Sequence, residues 1–155
     1  LDNVLHFYTF DPSQHEIDLM NLFREHSGLM NQPIIPYAVE GSSTLRSYFD
    51  KEFHHGMTVT CPGFYAPQGR VVRASLQLPE LVDRLSSFTF HEHRITNFEM
   101  ETSAIFGLGK IFGHRCLALN AIVANRISKT FTKDAASTIE RMIKLNLEII
   151  EKIPD

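Results

Sequence analysis

The sequence predicts an α/β fold in which a central sheet lies between helical layers, and three observations carry that expectation. Apolar residues recur at helical spacing in four segments, short β-branched or continuous apolar runs alternate with them, and turn residues separate one kind from the other. The 155 residues are 43% hydrophobic and 21% charged, the balance of a globular chain that buries its own core. No internal repeat or low-complexity linker interrupts it, so residues 1–155 read as one unit.

The first helix is expected over residues 12–27. Asp11-Pro12 starts it, Ile17, Met20 and Phe23 share a face, and Gly28 stops it. Pro33 to Ser43 carries two prolines and a Gly-Ser-Ser cluster and reads as extended loop. Gly56 to Cys61 is rich in β-branched residues between turn residues and reads as a strand. A second helix runs from about Pro79 to Phe88, with Leu81, Val82, Leu85 and Phe88 on one stripe. Ile95 to Glu99 reads as a strand leading into a helix over Glu101 to Phe112, which ends at Gly113. Cys116 to Val123 is nearly continuous in apolar residues, broken by Asn120, and predicts a strand covered on both faces. The last helix spans about Lys133 to Lys152, with Ala136, Ile139, Met142, Ile143, Leu147 and Ile150 as its apolar stripe.

The net charge of -3, from 15 Lys and Arg against 18 Asp and Glu, is scattered without like-charge blocks. That pattern offers neither a nucleic-acid stripe nor a polybasic membrane patch, and it suits a small polar substrate. Cys61 and Cys116 lack a CxxC partner and are expected to be reduced, buried thiols of a cytoplasmic protein. No apolar run approaches the roughly 18 to 20 residues that span a bilayer, and no signal-peptide pattern opens the sequence. Leu1 stands where Met is expected, ahead of an apolar, aromatic run to Phe10. That start suggests a chain cut from something longer, with processing or renumbering as the alternatives.

In open α/β sheets ligands bind beyond the strand ends, which directs attention to three segments. The first, PGFYAPQGR at residues 62–70, can receive a planar ring. Phe64 can cover a ring face, Gln68 offers a donor and an acceptor in one plane, and Arg70 adds fixed donors for a carbonyl oxygen. The competing reading is a surface turn with solvated Gln and Arg and a core Phe. The second, NFEMETSA at 97–104, puts Glu99 and Glu101 around Met100 where a strand gives way to a helix. A carboxylate can accept the two vicinal hydroxyls of a pentose, and a flexible thioether can pack under the sugar. Alternatively both acids are helix-end residues favoured by the helix dipole. The third, AIVANR at 121–126, sets Arg126 just beyond an apolar run, where it can stabilise negative charge or cap a rim carbonyl. His91 and His93 could share one face of an extended segment, but no third ligand stands at useful spacing, so no metal site is predicted.

Phe64, Gln68 and Arg70, followed by NFEME at 97–101 and VANR at 123–126, resemble the nucleoside phosphorylase superfamily and, within it, the uridine phosphorylases. The motifs cover about residues 56–130 and occur in the family's order. The resemblance implies a three-layer α/β/α fold with a central mixed sheet, of which residues 1–155 would be the C-terminal part. It implies a homo-oligomer whose subunits share active sites, and phosphorolysis of a pyrimidine nucleoside with inorganic phosphate as co-substrate and no cofactor. Phe64 would stack near the base, Gln68 and Arg70 would read the uracil edge, and Arg126 would lie near a base oxygen. Glu101 would bind the ribose 2'- and 3'-hydroxyls, Met100 would touch the sugar, and Glu99 would support the ribose site. Gln68, Arg70 and Glu101 would carry the catalysis. Purine-preferring relatives carry an acid, commonly in a Ser-Asp pair, where Ala124-Asn125-Arg126 stands here, and that difference favours a pyrimidine.

The family's glycine-containing phosphate loop and phosphate-binding arginines find no matching motif. Arg24, Arg46, Arg73, Arg84, Arg94, Arg115 and Arg141 lie outside every match, so none is assigned to phosphate. The family's ribose 5'-hydroxyl contact, a histidine from a neighbouring subunit, would fall in the same unmatched part. Activity is therefore expected only from a longer protein. A purine nucleoside phosphorylase, a nucleosidase using water, and a noncatalytic nucleoside-binding fragment are the alternative readings. The pyrimidine reading requires Phe64, Gln68, Arg70, Met100, Glu101 and Arg126 to line one cavity.

Overall fold

The computed structural model describes Leu5 and residues 8–49 and 53–154; of the run Leu1 to Phe10, only Leu5 and residues 8–10 fall among them. Helix α1, Gln14–Ser27, starts two residues after Pro12 because Ser13 stays extended and forms a reciprocal cap. The Ser13 hydroxyl accepts from the Glu16 N–H at 3.2 Å, and Glu16 Oε2 accepts from the Ser13 N–H at 2.6 Å. Two otherwise orphaned donors are thereby satisfied. Gly28 closes the helix at φ 80, where a side chain would be strained. Ser13→Ala is expected to cost about 1 kcal/mol, read as a lower urea midpoint with an unchanged slope.

The remaining elements follow in order: α2 (Ser43–Arg46), β1 (Met57–Thr60), α3 (Leu81–Ser87), β2 (Thr89–Phe90), β3 (His93–Glu99), α4 (Thr102–Ile111), β4 (Ala124–Asn125), β5 (Thr130–Phe131) and α5 (Ala135–Ile150). The main sheet runs β1-β3-β2, with β1 parallel and β2 antiparallel to β3. The architecture is α/β with a mixed sheet. A separate hairpin pairs β4 with β5.

The most complete burial lies where α3 meets α1 and the sheet. Leu85, Phe88 and Phe90 are buried, and Phe88 packs edge-on to Phe23 of α1 with ring centroids 5.5 Å apart. His26 Nε2 lies 2.8 Å from the Arg84 carbonyl and fastens the same pair of helices. A second junction is polar. The Glu16 side chain is only 3% exposed and takes the Glu40 N–H on Oε1 at 3.0 Å and Lys110 Nζ from α4 on Oε2. Burial pushes its pKa up. The hydrogen bonds from Lys110, Glu40 and Ser13 outweigh that and hold it below the usual carboxylate value.

The expected strand over Cys116 to Val123 is corrected by the structure. The segment carries no ladder among the described residues. Its ends are held by single bonds, Ser42 N–H to the Cys116 carbonyl at 2.8 Å and Thr132 N–H to the Val123 carbonyl at 3.0 Å. It is half-buried, with Asn120 and Ile122 exposed. Apolarity states the environment a run needs; pairing also needs a neighbour with open backbone groups in register. Cys116 accordingly lies outside any strand and is half-buried, and both cysteines are free thiols. His91, at φ 52, occupies the turn between β2 and β3, so it does not share a strand face with His93. No group of His, Cys, Asp and Glu among the described residues is arranged to hold a metal.

α5 forms as its periodicity predicts and is capped by Asp134, whose Oδ1 accepts from the Ser137 N–H at 2.9 Å. Its stripe is nevertheless exposed: Ile143 by 49% and Leu147 by 57%. No helix of the described residues is long and apolar enough to cross a membrane.

Candidate functional site

β1 and β3 run parallel with Thr60 opposite Glu99, so the segments after both strands leave the same edge of the sheet. The Cys61 N–H donates to the Glu99 carbonyl at 2.8 Å and carries the pairing to that edge. Beyond it the loop folds into a 3-10 turn, Ala66–Gln68. The N–H groups of Gln68 and Arg70 both donate to the Tyr65 carbonyl, at 3.0 and 2.9 Å. Gly69 makes the reversal at φ 73, and a Cβ there would come within 2.5 Å of Val82 Cγ2. Glycine is required on both counts.

This turn sends Gln68 inward, where it is buried, and brings Arg70 back over Phe64. The Arg70 guanidinium carbon stands 3.5 Å from the Phe64 ring centroid, and its Nη1 donates to the Phe64 carbonyl. One face of Phe64 thus carries a cation, while the residue as a whole stays exposed. The Gln68 amide oxygen accepts from Arg70 Nη1 at 2.9 Å and from Arg126 Nη2 at 2.6 Å. Guanidinium groups only donate, so they turn the amide oxygen toward themselves. Arg126 is set by the turn between β4 and β5, where Asn125 Oδ1 accepts from the N–H groups of Ile127 and Ser128 at 2.9 and 3.0 Å. Burial, and then the charge of Arg70, lower the Arg126 pKa from its ordinary value.

At the end of β3, Glu99 Oε1 accepts from the Thr60 hydroxyl. Its Oε2 accepts from the N–H groups of Glu101 and Thr102, at 2.8 and 2.6 Å. Burial raises its pKa, but these hydrogen bonds prevail and hold it below the usual value. Glu99 therefore has the geometry of a helix-end acid, capping the start of α4 through two backbone donors. Glu101 makes no such cap. Its carboxylate is exposed at the sheet edge, beside exposed Met100.

The structure joins Phe64, Gln68, Arg70 and Arg126 by direct contacts. Glu99, Met100 and Glu101 form a second group at the same sheet edge. Cys61 stands between the two. Burial, and then Glu99, push its thiol up to about 11, while Arg126 pulls the other way. At pH 8 that leaves only ~0.1% thiolate. Cys61 is expected to resist iodoacetamide in the folded protein and to label on unfolding; equal labelling in both states would contradict this environment. A cavity of about 1100 Å³ has Met100, Thr60, Cys61 and Pro67 in its wall but not Phe64, Gln68, Arg70, Glu101 or Arg126, so the six residues expected to line one cavity do not share this one. The contact geometry, and not this cavity, defines the candidate site, because neither guanidinium group lines the cavity.

Four residues escaped the sequence reading. Thr60 donates to Glu99 and accepts from the Ser103 N–H at 2.9 Å, and Ser103 Oγ accepts from the Tyr37 hydroxyl at 3.0 Å. Gly69 was visible as the glycine of Pro-Gln-Gly-Arg. Thr60, Ser103 and Tyr37 left no local signal, since their partners are 39, 43 and 66 positions away.

The chain has relatives among known proteins. The chain is 31% identical to the uridine phosphorylase of Thermococcus kodakarensis over 106 residues, covering 62% of this chain and 35% of that protein. It superposes with a TM-score of 0.85 and 26% identity on a crystal structure of a Trypanosoma brucei nucleoside phosphorylase described as showing uridine phosphorylase activity. That superposition covers 99% of this chain and 55% of the other, so the chain spans about a third and about half of these two relatives. The sequence model of the phosphorylase superfamily matches residues 4–153, and the chain belongs to that superfamily.

Proposed function

We propose that this chain is the nucleoside-binding part of a pyrimidine nucleoside phosphorylase that converts uridine and inorganic phosphate to uracil and ribose 1-phosphate without a cofactor. The observation that supports this most is the buried Gln68 amide held between two guanidinium groups. In phosphorolysis a phosphate oxygen bonds to C1' as the bond from C1' to the base nitrogen breaks, and the bonding electron pair passes to the base. Uracil takes that charge on its carbonyl oxygens. Fixed donors aimed at charge that develops in the transition state need no reorganisation when it forms. Arg70 and Arg126 repel one another, and an electron-rich ring beside them relieves that repulsion.

Glu101 in this reading holds the ribose 2'- and 3'-hydroxyls and Met100 packs beneath the sugar, while Phe64 offers the base its remaining face. Phosphate requires a cationic cradle that no arginine here is assigned to supply, so turnover belongs to a protein of the relatives' length, working as a cytoplasmic homo-oligomer with shared sites. The test is a product assay with uridine and phosphate on such a protein. Ribose 1-phosphate is expected. Free ribose would make it a nucleosidase, and turnover of inosine but not uridine would move it to the purine enzymes.

A further inference from the structure

Between the base-reading loop and the sugar-reading turn lies one cross-strand rung. Thr60 and Glu99 face each other on β1 and β3, each the last residue of its strand. The residues after Thr60 lead to Phe64, Gln68 and Arg70; those after Glu99 are Met100 and Glu101. The Thr60 hydroxyl has one proton and gives it to Glu99 Oε1, while its oxygen accepts from the Ser103 N–H. Glu99 Oε2 in turn holds the N–H groups of Glu101 and Thr102. The hydroxyl and the carboxylate of the rung thus bond each other and, between them, the N–H groups of Glu101, Thr102 and Ser103 at the start of α4.

We propose that Thr60 is a positioning residue that fixes, through Glu99, where Glu101 stands relative to Gln68 and Arg70, and so sets the distance between the base and sugar subsites. This rests on the nucleoside-binding reading above. Thr60 touches no substrate in this role. A hydroxyl-bearing residue is required, and valine, of equal shape, fails. Without the hydroxyl, Glu99 Oε1 and the Ser103 N–H lose their partner, and the carboxylate is free to rotate away from the Glu101 and Thr102 amides.

The experiment compares calorimetric affinities of uridine and of uracil for the 155-residue chain. Uracil reports the base subsite alone, and the uridine-to-uracil affinity ratio reports the contribution of the sugar. Thr60→Val is expected to lower that ratio by about fivefold or more while uracil affinity stays within about twofold. Thr60→Ser should restore the ratio. Thr58→Val is the control: it removes a similar hydroxyl, bonded to Asn97 Oδ1 at 2.7 Å on the same sheet face but outside the Glu99 network. A Thr60→Val protein that keeps the wild-type ratio overturns the inference, as does an equal loss for uracil and uridine. If Thr60→Val does not fold, Glu99→Gln must show the same split, and an unchanged ratio there overturns the inference as well. Wild-type protein that binds neither compound would refute the nucleoside reading itself, and this inference with it.

Discussion

Arg70→Ala lowers uridine turnover by about 10²-fold or more, measured as uracil release in a phosphorolysing protein that carries this chain. The size follows from what the side chain holds. Its guanidinium lies on the Phe64 face, bonds the Phe64 carbonyl and supplies one of the two donors on the Gln68 amide oxygen. The substitution removes a fixed charge from the base and loosens the groups that would present Gln68 and Phe64. Because base charge grows along the reaction, kcat is expected to fall further than KM rises. Arg70→Lys keeps the charge but cannot bond two acceptors in one plane, so it recovers only part of the loss. Wild-type turnover by Arg70→Ala would remove Arg70 from the reaction.

Glu16→Ala is expected to destabilise the fold by about 2–4 kcal/mol, read from urea unfolding at pH 7. The upper end for a broken buried pair is not reached, because the Lys110 side chain is 35% exposed and can turn to water. The Ser13 and Glu40 N–H groups lose their carboxylate acceptor as well. The pH dependence has a definite sign. The Glu16 pKa in the folded chain is below its unfolded value, so its contribution is fully present above about pH 4.3, the ordinary glutamate value, and is lost as pH falls through the folded pKa. Glu16→Gln should keep the helix start yet remove this acid-sensitive part of the stability curve. Identical acid limbs for wild type and Glu16→Gln would show that the carboxylate is not depressed.

What the sequence discloses depends on how far a residue's partners lie from it. Helices α1, α3, α4 and α5 rest on local periodicity and were legible to within a few residues. The Ser13-x-x-Glu16 pattern could also have announced the reciprocal cap, but nothing local joins Glu16 to Lys110, 94 positions away. The failure at Cys116 to Val123 has the same origin, since the run is apolar but its backbone partners are nonlocal. At the candidate site, Phe64, Gln68 and Arg70 lie within seven residues, and the structure brings them into contact. Arg126 joins them from the hairpin. Thr60, by contrast, is an ordinary strand threonine until the register of β1 on β3 is known.

That register also separates tolerant from intolerant positions. Residues 71–79 follow Arg70, precede α3 and are mostly exposed, so lengthening or shortening this stretch would be taken up by solvent-facing chain. One residue inserted within β1 or β3 behaves differently: alternate side chains in a strand point to opposite faces, and a single-step slip would turn the threonine or the glutamate to the far side of the sheet. Changes in length are accordingly expected to be tolerated in stretches such as 71–79 and not within the two strand tips, which act as a fixed ruler.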